Sequence, residues 1–131
     1  MKFTYQNEKV NSKLKFDDIT ISTNAENGYL PFELFVSSLT GCSSSLLARL
    51  LTKKRISFDK INVEVTSARN PDEANRIEQL AFEAEVISNK AMTEQQREQL
   101  AHLVIKNCGM IQSVVSSIDI SFTIQFRSEP N

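Results

Sequence analysis

Cysteine is scarce in this chain, and that scarcity excludes several classes of protein. Cys42 and Cys108 are the only two, with 65 residues between them, so the dense disulfide framework of a small secreted domain is absent. A structural zinc site needs about four Cys or His ligands at short spacings, and Cys42, Cys108 and the single His102 cannot supply them. No metal site is expected from so few ligands. Glycine occurs only three times, never as a glycine-rich loop that cradles phosphate. Neither sign of charge dominates: 15 basic residues stand against 16 acidic ones, which leaves no field to steer a polyanion, so nucleic acid is not expected as a partner. The opening "MKFTYQNEKVNSKLKF" has no apolar h-region and no Arg-rich amphipathic pattern. No run approaches the roughly 18 apolar residues of a membrane span. The expectation is a soluble cytoplasmic protein with no membrane partner.

What is present suffices for one core. The 131 residues, 40% of them hydrophobic, suit a single domain over 1–131 with no repeat, low-complexity tract or linker. Phe3 alternates with Tyr5, Leu14 with Phe16, and Ile19 with Ile21, which reads as short strands. Pro31 suits a first helical turn, and Glu33 suits the positive end of the helix dipole. From Phe32 to about Lys54, Phe35, Leu39, Leu46 and Leu50 keep helical spacing, and Leu34, Val36, Leu47 and Leu51 widen the apolar surface. A helix apolar on most sides is expected to be central and buried. "INVEVT" and "LAFEAEVIS" alternate as strands around "RNPDEANR", whose Asn, Pro and Asp suit a hairpin loop. "TEQQ" from Thr93 to Gln96 matches a capping box opening a second helix, with Leu100, Val104 and Cys108 every four residues. Gly109 marks its end, a short helix follows to about residue 116, and "IDISFTIQF" is the clearest strand. Segregated strands and helices predict an α+β fold with an antiparallel sheet.

Free cysteine often packs as a small buried hydrophobe. Here both thiols lie on helical segments among small or polar neighbours, "TGCSSS" and "KNCGM", which admit a close backbone or a small substrate. If Cys108 opens the short helix, the N-terminus of that helix is expected to lower its pKa. Two facing thiols can cycle: one attacks the O–O bond of a peroxide to give a sulfenic acid, and the other resolves it as a disulfide. His102 precedes Cys108 by six residues, about 240° around a helix, and reads as a surface residue.

The segment "PFELFVSSLTGCSSSLLARLLTKKR", with Asn107 to Ser113, resembles the OsmC/Ohr family of osmotically inducible and organic-hydroperoxide-resistance proteins. The resemblance extends in element order over nearly the whole chain. It implies an OsmC-like α+β fold, with antiparallel sheets packed around a long central helix in an entwined homodimer. It also implies a catalytic pair, with Cys42 attacking an organic hydroperoxide, Cys108 resolving, a dithiol such as a lipoyl group as reductant, and no metal or organic cofactor required.

The family's peroxidases also use an N-terminal arginine and a glutamate directly after the proline. Here residues 1–48 contain no arginine, and Phe32 follows Pro31. Glu33 lies nine residues before Cys42, on the opposite side of an ideal helix and about 13 Å along it. Arg49 lies on the face of Cys42 but about 10 Å away, and reads as a solvated residue. Lys13 and Lys15 read as solvent-facing strand residues. Gly109 and Met110 stand where the family has proline and valine or tyrosine, which loosens the start of the second site. Two rival readings remain open: a non-catalytic dimer of the same fold that binds a small apolar ligand in its interfacial cleft, and a thiol redox sensor without rapid turnover.

Overall fold

The computed structural model describes residues 1–129. The chain forms two compact units, one of residues 1–38 and one from Leu39 onward.

In the first unit, β1 (Thr4–Gln6), β2 (Lys9–Lys13) and β3 (Asp18–Ile21) form an antiparallel sheet in that order. Asn7 and Glu8 join β1 to β2 with φ of 56° and 63°, the doubly left-handed backbone of a type I′ hairpin turn. Leu14 and Phe16, expected in a strand, lie instead in the β2–β3 connection: the Leu14 N–H donates to the Asp17 carbonyl at 3.3 Å, and Phe16 is fully exposed. Their alternation is a turn's accident, because the register is set by the hairpin at Asn7–Glu8. Gly28 serves close approach. A Cβ there would sit 2.8 Å from the Thr20 carbonyl oxygen, where the Tyr29 N–H donates to that same oxygen at 2.9 Å.

Helix α1 (Pro31–Lys53) runs within one residue of its expected span, with Glu33 in its first turn and Lys53 in its last. Its fully buried stripe is Leu39, Ser43, Leu47 and Leu51, at i, i+4 spacing. Leu34, Phe35, Val36, Leu46 and Leu50 are only half-buried. The expectation of a helix enclosed on most sides is therefore not met within one chain. By length and composition α1 is also apolar enough to cross a membrane, with 23 residues and a mean hydropathy of 1.4 over its best window. That corrects the reading of no such run: Ser, Thr and Gly interrupt the apolar sequence without much lowering its mean.

In the second unit, β4 (Lys60–Asn70) and β5 (Arg76–Ile87) form an antiparallel hairpin. It is longer than the alternation suggested, because Arg69, Asn70 and Arg76 of the expected loop pair as strand. Helix α2 (Glu94–Asn107) opens on the expected capping box: the Gln96 N–H donates to Thr93 Oγ1 at 3.2 Å, and the Thr93 N–H to Gln96 Oε1 at 3.0 Å. The short α3 (Gly109–Gln112) precedes β6 (Asp119–Arg127), which joins the sheet in the order β4-β5-β6.

The β5–β6 pairing is parallel, which corrects the expected all-antiparallel sheet. One long helix carries the chain back to the end where β5 began, so the next strand runs in the same direction. Cross-strand rows place Val65, Phe82 and Phe122 on one face, with Val63, Ala84 and Ile124 beside them. The Phe82 and Phe122 rings stack at 5.9 Å, and α2 covers this sheet edge with buried Leu100, Ala101 and Val104.

Candidate functional site

Cys42 follows Gly41 midway along α1 and is half-buried, beside but not within the buried stripe. Cys108 is fully buried at the junction of two helices, as C-cap of α2 and N-cap of α3, with extended φ −81° and ψ 109°. Its N–H donates to the Val104 carbonyl and its carbonyl accepts from the Gln112 N–H, both at 2.9 Å. These two bonds tie its backbone to both helices, and Val104 and Ile111 near it in sequence are buried as well.

The fold brings the two thiols near enough that each shifts the ionisation of the other. The turn that opens α3 adds donors, since the first N–H groups of any helix have no intrahelical acceptor. The Met110 N–H, the Cys108 thiol and the Gly109 N–H, together with the charge of Arg49, hold the Cys42 pKa below that of an ordinary thiol. Partial burial opposes them without winning. Cys108 moves the other way. Burial pushes its pKa up, and its proximity to Cys42 reinforces the shift against the opposing Ile111 and Met110 N–H groups. Of the two thiols, Cys42 is therefore the one that ionises more readily, and Cys108 the one that holds its proton more tightly. This corrects the expectation that the short helix would lower the pKa of Cys108: burial outweighs its N-terminal donors there.

A Cβ built on Gly41 or Gly109 would meet no atom within 4 Å. The space beside Gly41 and Gly109 is therefore open, although Cys108 itself is buried. Gly109 starts α3 rather than loosening it, and it brings a donor that proline would lack.

The remaining sequence candidates are distributed elsewhere. His102 is exposed on α2, as read. Glu33 is exposed in the first turn of α1; Lys13 ends β2 and Lys15 lies in the following connection, both exposed. Arg49 is exposed, yet its charge acts on Cys42. Among the described residues no group of three His, Cys, Asp or Glu is placed to hold a metal ion. A polar groove of about 450 Å³ on the outer sheet face, lined by Asn62, Glu64, Glu83, Glu85 and Gln125 among others, includes neither cysteine. Sequence reasoning missed Met110, whose contribution is its backbone N–H. The available signal was its place one residue past the first position of the helix that Cys108 caps.

Comparison with known proteins agrees with this architecture. A hypothetical protein from Aquifex aeolicus VF5 is similar, with a TM-score of 0.84 and 20% identity over 98% of this chain and 96% of that one. An OsmC like protein from Mycoplasma pneumoniae superposes with a TM-score of 0.77 and 17% identity, over 96% and 97% of the two chains. An organic hydroperoxide resistance protein OsmC from Legionella pneumophila gives a TM-score of 0.70 and 10% identity, over 95% and 97%. No curated protein matches the chain. Residues 22–123 match the family described as OsmC-like protein, a span that contains both cysteines and every element from α1 to α3. The chain belongs to the OsmC-like protein family.

Proposed function

We propose that this protein is a thiol peroxidase that reduces organic hydroperoxides, with Cys42 as nucleophile, Cys108 as resolving thiol and a dithiol as reductant. The observation that carries the reading is the neighbouring thiol pair, a half-buried Cys42 beside a buried Cys108, whose pKa values are pushed in opposite directions. The hydroperoxide-resistance protein among its structural neighbours adds to that support.

The chemistry follows from the arrangement. The Cys42 thiolate attacks the terminal oxygen of the hydroperoxide; an S–O bond forms, the O–O bond breaks, and the alkoxide leaves with the electron pair and takes a proton to become an alcohol. The Gly109 and Met110 N–H groups stabilise the sulfur's charge before attack and orient it. Once Cys42 is a neutral sulfenic acid, the negative neighbour that helped raise the Cys108 pKa is gone. Cys108 then ionises more readily and attacks the Cys42 sulfur: the S–S bond forms and hydroxide leaves, protonated to water. An external dithiol returns both electrons and both protons by thiol–disulfide exchange. The sum is one hydroperoxide and one dithiol converted to one alcohol, one water and one disulfide.

The reading includes a homodimer working in a reducing, cytoplasmic setting. The family resemblance and the half-buried apolar positions of α1 support the dimer. The direct test is consumption of cumene hydroperoxide with dihydrolipoamide as reductant. Wild type is expected to turn over and Cys42→Ser to fall to background; equal rates in the two proteins would refute the peroxidase assignment.

A further inference from the structure

A thiolate that expels an alkoxide needs positive charge nearby, and residues 1–48 of this chain contain no arginine. The first arginine in the sequence is Arg49, on the helix that carries Cys42. Seven residues turn an α-helix about 700°, within about 20° of two full turns, so the two side chains share one face about 10.5 Å apart along the axis. The Cα–Cβ bonds of a helix tilt toward its N-terminus, so a long side chain at 49 leans back over the turns that lead to Cys42. Nothing competes for the guanidinium: among the described residues Arg49 makes no ion pair or hydrogen bond. Arg76 and Arg127, by contrast, are engaged by Glu78 and Glu85 at 3.0 and 3.2 Å.

From α2 and α3 the groups turned to Cys42 are uncharged, namely the Cys108 thiol and the Gly109 and Met110 N–H groups; His102 and Lys106 occupy exposed positions on α2. The charge of Arg49 acts on Cys42 in the direction this geometry requires.

We propose that Arg49 is the positioning cation of the site, holding negative charge at the Cys42 sulfur from two turns along the same helix. The inference rests on the nucleophile role proposed for Cys42. Arg49 acts across solvent without contact, so its influence carries a signature that packing would not: it is screened by salt and preserved by lysine.

The test is the pH profile of iodoacetamide alkylation at Cys42, located by peptide mass, in wild type, Arg49→Gln and Arg49→Lys. At about 0.01 M salt, where screening extends over about 30 Å, Arg49→Gln is expected to move the profile to higher pH and slow alkylation at neutral pH about two- to fivefold. Arg49→Lys is expected to restore most of the rate. At about 1 M salt, with a screening length of about 3 Å, the three profiles are expected to converge. Superposable wild-type and Gln profiles at low salt would overturn the inference, as would a Gln defect that high salt leaves unchanged and Lys does not rescue. Alkylation needs no peroxide, so failure here leaves the peroxidase reading to its own assay, and retained turnover in Cys42→Ser would sink that reading without touching this result.

Discussion

Cys42 and Cys108 carry the same functional group, yet their surroundings push them in opposite directions. Cys108 has no exposure, and the cost of an ion in that environment keeps its proton on. Cys42 is only half-buried, and two backbone N–H groups and the Cys108 thiol lower its pKa, so its thiolate survives at lower pH than that of free cysteine. Its alkylation rate is accordingly expected to approach its plateau below the pH required by an ordinary thiol, and to fall as pH drops through the lowered pKa. Gly109 isolates one donor. Its φ is not positive, the extended Cys108 before it suits a residue preceding proline, and a Cβ meets nothing. Gly109→Pro is therefore expected to fold while deleting one N–H. The predicted outcome is about three- to tenfold slower Cys42 alkylation at neutral pH than in Gly109→Ala, which keeps the donor. Equal rates in the two variants would show that this N–H does not hold the thiolate. Both cysteines were legible from their small neighbours and helical spacing. The donor set was not, because it depends on α2 stopping at Asn107 and on which way three peptide groups then point.

Among the elements, α1, the capping box of α2 and the alternation of β6 were readable almost to the residue, since each has a local cause: Pro31 and Glu33, Thr93 with Gln96, and Phe122 with Ile124. The direction of β6 was not, because alternation is the same whichever way a strand runs. Leu14 and Phe16 misled for a related reason, as two apolar residues two apart fit a turn as well as a strand. The surroundings of α1 also lay beyond the sequence. Its apolar residues suggested a helix enclosed all round, but one chain fully buries only the Leu39, Ser43, Leu47 and Leu51 stripe. Leu46 and Leu50 remain half-buried, as do Phe35 and Val36. A second copy of the chain is the proposed cover. Sedimentation equilibrium at micromolar concentration is expected to give the mass of two chains; the mass of one chain throughout would remove the dimer from the account.

At the scale of the molecule, the order of elements pointed to an α+β chain, the segments around Cys42 and Cys108 carried the resemblance to the OsmC/Ohr family, and the fold matches solved structures at 20% identity or less. Shared architecture at that distance leaves chemistry to the site. Here the site is one in which two thiols 66 positions apart in sequence come near enough to shift each other's ionisation. The most direct measurement of that claim is intact mass, followed by peptide mapping, after one equivalent of organic hydroperoxide is added to the fully reduced protein. The expected product has lost two hydrogens and contains a single Cys42–Cys108 disulfide within one chain. A protein that stays reduced, or that gains oxygen at Cys42 without ever forming the Cys108 bond, would contradict it.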